Sequence, residues 1–222
     1  MHGVRSIRHV NLAGLACLTV ALTSLTACGG KVRYPSYYVL NVPAPAPESV
    51  QLKPTLGSAA VREFYAPRFL RAGPIVYRQS PEQLGFYNYE RWAVDPRSVV
   101  TAAFVQTLQA RGVFQSVHVF DGRASSDYLV TGTLEHLEEV DQGHDVVINV
   151  GLSAQLLDLK TGNVLWRGES LQSARLEHRA VPGVVAGMSQ AAGQAVTRLV
   201  SSMQNRVLQA SASAGIRDAG QQ

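Results

Sequence analysis

Val146-Val147-Ile148-Asn149-Val150-Gly151-Leu152-Ser153-Ala154-Gln155-Leu156-Leu157-Asp158-Leu159 is the stretch whose reading decides the fold. Ile148, Val150, Leu152, Ala154 and Leu156 alternate with Asn149, Gly151, Ser153 and Gln155. A period of two places the first set on one side of a strand and the second on the other. One side is apolar and the other polar, the pattern of an antiparallel sheet covered on a single face. The turn-forming residues from Asp158 to Asn163 send the chain back into a partner strand over 164–171. Residues 127–137 form a third strand, with Tyr128, Val130 and Leu134 facing away from Thr131, Thr133 and Glu135. The three make a meander.

A sheet with one apolar face needs a cover, and two helices supply it. Asp95 can cap exposed backbone donors, and Pro96 suits the first helical position, where its missing N–H costs nothing. The helix that follows carries Val100, Ala103, Phe104, Thr107 and Leu108 on one side and stops at Gly112. A second helix starts at Pro182-Gly183 and runs to about Val207, with Val185, Met188, Ala192, Ala195, Val196, Leu199 and Met203 at helical spacing. Its alanine and glycine content allows close approach to a sheet. Shorter strands are expected at 37–40, 59–65, 75–78 and 116–120. The fold class is therefore α+β: a single two-layer domain with a largely antiparallel, mixed sheet packed by two main helices.

The amino terminus carries a different message. Arg5 and Arg8 precede a small-and-apolar run from Val10 to Ala27, and no acidic residue occurs before Glu48. That is the order of a secretory signal. Asn11, Thr19, Thr23, Ser24 and Thr26 interrupt the run, which makes it a poor spanning helix. It ends in Leu25-Thr26-Ala27-Cys28, a lipobox-like sequence, whereas Cys17 has its branched residue one place too close. Residues 1–27 read as a lipoprotein signal peptide and Cys28 as the lipidated first residue of the mature chain. Two or three acyl chains make such an anchor effectively permanent. Gly29-Gly30, in place of an aspartate after the cysteine, favours the outer membrane and a periplasm-facing domain.

Composition narrows the classes. Of 222 residues, removal of the first 27 leaves 195, enough for one domain with tails. The discarded segment holds two of the 20 basic residues and no acid, so the mature chain has 18 basic against 16 acidic residues. The charges are scattered and no basic run marks a nucleic-acid surface. With one cysteine removed and the other lipidated, no disulfide can form and stability rests on packing. Boundaries follow: signal peptide 1–27, lipid-anchored tether with a short strand and Pro-rich linker 28–57, α+β domain 58–209, and flexible tail 210–222. Pro43, Pro45 and Pro47 make the linker stiff and extended.

Nothing in the sequence assembles a catalytic set. There is no Gly-x-Ser-x-Gly, no free mature cysteine and no phosphate-binding glycine loop. The acidic run Glu135-His136-Leu137-Glu138-Glu139-Val140-Asp141-Gln142-Gly143-His144-Asp145 lacks a zinc spacing and reads as a strand end followed by a solvated loop. His118 and His178 read as structural residues in a strand and near a loop. No metal or other cofactor is expected, and no enzyme activity. The aromatic run is the more informative feature: Phe86, Tyr87, Tyr89 and Trp92, with Arg91 among them, exceed what a solvated loop needs. Tyrosine and tryptophan pair apolar bodies with polar tips, which suits an interface. Alternation can equally bury half of them in the core.

Tyr37-Tyr38-Val39-Leu40 soon after the lipobox, Arg68-Phe69-Leu70, Pro74-Ile75-Val76-Tyr77-Arg78, the run Phe86-Tyr87-Asn88-Tyr89-Glu90-Arg91-Trp92-Ala93 and Asp127-Tyr128-Leu129-Val130-Thr131-Gly132 resemble the PqiC family of ABC-type transport auxiliary lipoproteins. The likeness spans roughly residues 37–207. It implies a non-catalytic accessory subunit of an MCE-type lipid transport system, partnered with an MCE-domain protein. It also implies self-association, with a ring on the end of an MCE assembly as one form. The alternative is a free-standing outer-membrane lipoprotein that binds lipid or assists envelope assembly, which predicts an apolar pocket beneath the sheet. Docking predicts an apolar, aromatic patch outside. A periplasmic hydrolase ranks third and requires a cleft with convergent polar groups.

Overall fold

A computed structural model describes residues 33–43, 56–123, 125–143, 145–177 and 179–219. The signal peptide, Cys28, Pro45, Pro47, His144 and His178 lie outside the described residues. In chain order the elements are β1 (Ser36–Tyr38), β2 (Leu56–Val61), a 3-10 turn (Arg68–Leu70), β3 (Pro74–Ser80), β4 (Gln83–Trp92), α1 (Pro96–Arg111), β5 (Phe114–Val119), β6 (Tyr128–Gln142), β7 (Asp145–Asp158), β8 (Val164–Leu176) and α2 (Val181–Ala219). Two helices lie with an open mixed sheet of eight strands, which is the α+β class. α2 continues beyond Ala210 to Ala219.

The meander β6–β7–β8 is antiparallel throughout. Ile148, Val150, Leu152 and Leu156 are buried to 1% exposure or less, and Ala154 to 6%. The hairpin turn is held by Asp158, whose carboxylate accepts from the Lys160 and Thr161 amides at 2.8 and 3.2 Å, while Gly162 takes the left-handed φ of +73°. The free edge of β6 is shared. β2 lies parallel to its first half, from Tyr128 to Val130, and β3 parallel to its second, at Glu139 and Val140. Tyr65 bridges to Thr133 between them. β5 then extends from β2, and β4 and β1 extend from β3.

Both helical stripes pack as their spacing predicts: each of the residues named for α1 and α2 is buried, the least so being Ala103 and Val185 at 7%. Asp95 accepts from the Arg97 amide at 3.0 Å, and Gly112 closes α1 with φ of +63°. Gly187 of α2 lies where a Cβ would strike Ile148 Cδ1, so this helix rests directly on β7. Phe64 joins the layers: its ring sits 5.3 Å from Phe104, and its amide donates to Thr101 Oγ1 at 3.0 Å. Phe64, Phe104, Ile148 and Met188 are 0% exposed, and burying each side chain contributes about 1.5–3 kcal/mol. Among the described residues no helix is long and apolar enough to cross a membrane.

The acidic run departs from its reading as a loop. β6 continues to Gln142, and Glu138 and Glu139 are 2% and 0% exposed. The cause is a bulge. Leu134 pairs with Leu152 but His136 pairs with Gly151, so Glu135 has no opposite number and the alternation changes phase. Leu137 and Glu139 then occupy the inward positions, opposite the buried Val150 and Ile148.

Candidate functional site

β4 presents the aromatic run, and a second irregularity sets which rings face out. Val76 pairs with Phe86 but Pro74 pairs with Arg91, so three extra residues are accommodated on β4 between these points. Trp92 turns inward at 4% exposure, its amide donating to the Gly73 carbonyl at 2.8 Å. Tyr87 is half-buried, edge-on to Tyr77 with ring centroids 5.3 Å apart. Phe86 and Tyr89 remain exposed, at 46% and 37%. Arg91 is partly buried.

β1 completes this surface. It pairs in parallel with the outer edge of β4, setting Tyr37 opposite Arg91 and Tyr38 opposite Trp92. Strand alternation puts Tyr89 and Arg91 on one side, with Tyr37, 64% exposed, beside them. Of the five residues expected at an interface, the structure therefore keeps Phe86 and Tyr89 on the surface with Arg91 beside Tyr89, and spends Tyr87 and Trp92 on support. Tyr37 adds an exposed ring that sequence reasoning did not single out. Its placement depends on a strand pairing across more than 50 residues, although the density of tyrosines at 34–38 is a visible signal. After β1 the chain docks on α2: Leu40 is 2% exposed and the Asn41 amide donates to Ser189 Oγ at 3.0 Å.

Two buried carboxylates fix β3 and β4 to β6. On the inner face, Tyr87 donates to Glu139 Oε2 at 2.6 Å. Arg179, in the loop before α2, brings Nε to 2.7 Å from Glu139 Oε1 and Nη2 to 2.9 Å from Asp141. The Arg179–Glu139 contact is an ion pair without hydrogen-bond alignment, since Glu139 Oε1 lacks a directed partner. Burial, then the bond to Glu139, raises the Tyr87 hydroxyl pKa well above its ordinary value. On the outer face Arg78 grips Glu138 bidentately at 2.8 and 2.9 Å, and His136 Nδ1 lies 3.3 Å from the same carboxylate. Hydrogen bonding to Glu138 raises the Arg78 pKa. The β3–β6 ladder has only two register pairs, and these side-chain bonds on both faces reinforce it.

Among the described residues no group of three or more His, Cys, Asp or Glu side chains is arranged to hold a metal. His118 Nε2 lies 3.2 Å from Ser126 Oγ. Between sheet and helices the buried apolar side chains form one contiguous cluster.

The chain is a two-layer α+β body with an aromatic strand at one side of its sheet. The chain belongs to the family described as ABC-type transport auxiliary lipoprotein component, whose model matches residues 38–200. No curated protein matches the sequence. Among solved structures it is similar to protein XCC0632 from Xanthomonas campestris, of the family DUF330, at TM-score 0.68 and 21% identity, covering 79% of this chain and 98% of that one. An uncharacterized protein is similar at TM-score 0.60 and 15% identity, covering 77% and 99% respectively. Both likenesses concern the fold.

Proposed function

We propose that this protein is a lipid-anchored periplasmic accessory subunit of an MCE-type ABC lipid transport system. It docks on or supports the trans-periplasmic MCE assembly and so maintains membrane integrity. The observation that carries this reading is the exposed Tyr37–Tyr89–Phe86 surface, on strands fixed by Trp92 and the Tyr87–Glu139 bond on the inner face and by the Arg78–Glu138 pair on the outer face. A rigid aromatic surface loses little entropy on binding, which is what a docking subunit needs. The family description supplies the transport context.

Acyl chains on Cys28 hold the domain at the outer membrane. Seven residues lie between Cys28 and Ser36, which makes the tether short. Copies of the chain associate around the MCE partner, with a ring as the closed arrangement. The apolar residues beneath the sheet pack into one buried cluster, which supports docking over the free-standing lipid carrier. Purification of the tagged full-length chain from membranes tests the proposal: it recovers an MCE-domain protein, and recovery of unrelated partners alone overturns it. Cys28→Ala abolishes palmitate incorporation and releases the chain from the membrane fraction; retention with undiminished labelling contradicts the anchor.

A further inference from the structure

A groove of about 900 Å3 runs between the start of β8 and the carboxy-terminal half of α2. It lies away from the aromatic surface of β1 and β4, on the opposite wing of the sheet. Its floor is Trp166, 6% exposed, whose indole N–H donates to Ser202 Oγ at 3.2 Å. Val164 and Leu165, 38% and 37% exposed, form an apolar lip. Arg167, Arg198 and Arg206 line the walls, and no carboxylate lines the groove among the described residues. Arg111 of α1 reaches the same wall through Ser201 Oγ at 3.2 Å. In a mature chain with nearly balanced charge, three arginines around one groove without an acid are a local excess of positive potential.

The shape of that excess selects the ligand. Guanidinium groups bind phosphate through paired N–H donors. Ser202 and Asn205 add neutral polar groups along the same helix side, at positions Arg198 + 4 and + 7. The apolar lip and the Trp166 floor match the first methylenes of an acyl chain, which an inorganic anion does not possess. A peptide strand added to the β8 edge fits less well. Leu156 pairs with Trp166 and Leu157 with Val164, so Leu165 bulges where the groove begins and interrupts the regular edge a strand would need.

We propose that this groove binds the phosphate headgroup of an anionic phospholipid, with Arg198 and Arg206 on the phosphate, Arg167 at the rim, and Trp166, Leu165 and Val164 against the glycerol and proximal acyl carbons. This goes beyond docking on an MCE partner and does not depend on it.

The test titrates the full-length chain, purified in a non-ionic detergent, with soluble dihexanoyl phosphatidylglycerol while tryptophan fluorescence is followed. Saturable binding at one site is expected, with the change in emission arising at Trp166. Dihexanoyl phosphatidylcholine, inorganic phosphate and an acidic peptide serve as the comparison probes and bind more weakly. Arg198→Glu with Arg206→Glu weakens phosphatidylglycerol binding about tenfold or more, whereas Arg68→Glu with Arg123→Glu, which changes net charge equally at exposed sites elsewhere, leaves it unchanged. Circular dichroism and melting confirm that both variants fold; if the groove pair does not, Arg198→Gln with Arg206→Gln is used with the same expected direction. Equal weakening by both pairs, equal binding of inorganic phosphate, preference for the acidic peptide, or absence of saturable binding overturns the proposal. Recovery of an MCE protein is scored separately, so either reading can fail alone.

Discussion

Glu138 and Glu139 are neighbours along β6 yet face opposite sides of the sheet, and each is buried against a cation from a distant segment. Glu138 depends on Arg78, whose guanidinium satisfies both carboxylate oxygens. Arg78→Met strands a buried charge and is expected to cost about 3 kcal/mol in urea unfolding; a loss below about 1 kcal/mol, the scale of a surface pair, contradicts this role. Tyr87 carries the pH dependence of the inner face. Its hydroxyl titrates above the ordinary 10.0, first because it is buried and then because it donates to Glu139. The folded chain therefore holds this proton more tightly than the unfolded chain. Its contribution to stability is complete below pH 10 and falls as pH rises through the folded value. Tyr87→Phe removes this contribution, so the variant's stability declines less steeply than the wild type's in the alkaline range. Chemical denaturation at a series of alkaline pH values reads the difference, and parallel profiles would count against it.

The elements differ in how far sequence alone reveals them. β7, the stripes of α1 and α2, the Asp95 cap and the Gly112 stop are legible because each is written in a local period or a single terminal residue. The bulge at Glu135 and the three extra residues of β4 are not, because a bulge exists only relative to a partner strand. For the same reason the acidic run reads as loop: Arg78 stands 60 positions from Glu138, and Tyr87 stands 52 from Glu139. In the aromatic run the composition is visible, but the division between exposed Phe86 and Tyr89 and buried Trp92 follows from the β3 register. The small-residue stripe of α2 yields a paired prediction. At Gly187 a Cβ meets Ile148, so Gly187→Leu pushes the helix from β7 and is expected to cost about 1–3 kcal/mol. At Gly183 there is open space, so Gly183→Ala is expected to stabilise by up to about 1 kcal/mol. Thermal melts of both variants check the contrast. Asp95→Ala removes the α1 cap, with an expected cost of about 1 kcal/mol.

For the whole molecule, we propose a division of labour between a packed core, an aromatic docking strand and a lipid anchor at Cys28. The meander and helices give the domain its stability, and the carboxylate pairs on β6 transmit that rigidity to β3, β4 and β1. The central claim is that contact runs through the outer side of β4. It is tested by the yield of MCE-domain protein co-purified from membranes with the full-length chain, compared with a Phe86→Asp, Tyr89→Asp double variant. Both residues are exposed, and circular dichroism of the variant checks that its fold is kept. We expect the wild type to recover the MCE protein and the double variant to lose most of it at equal membrane content. Equal recovery by the two chains, or no MCE protein with either, would contradict the account.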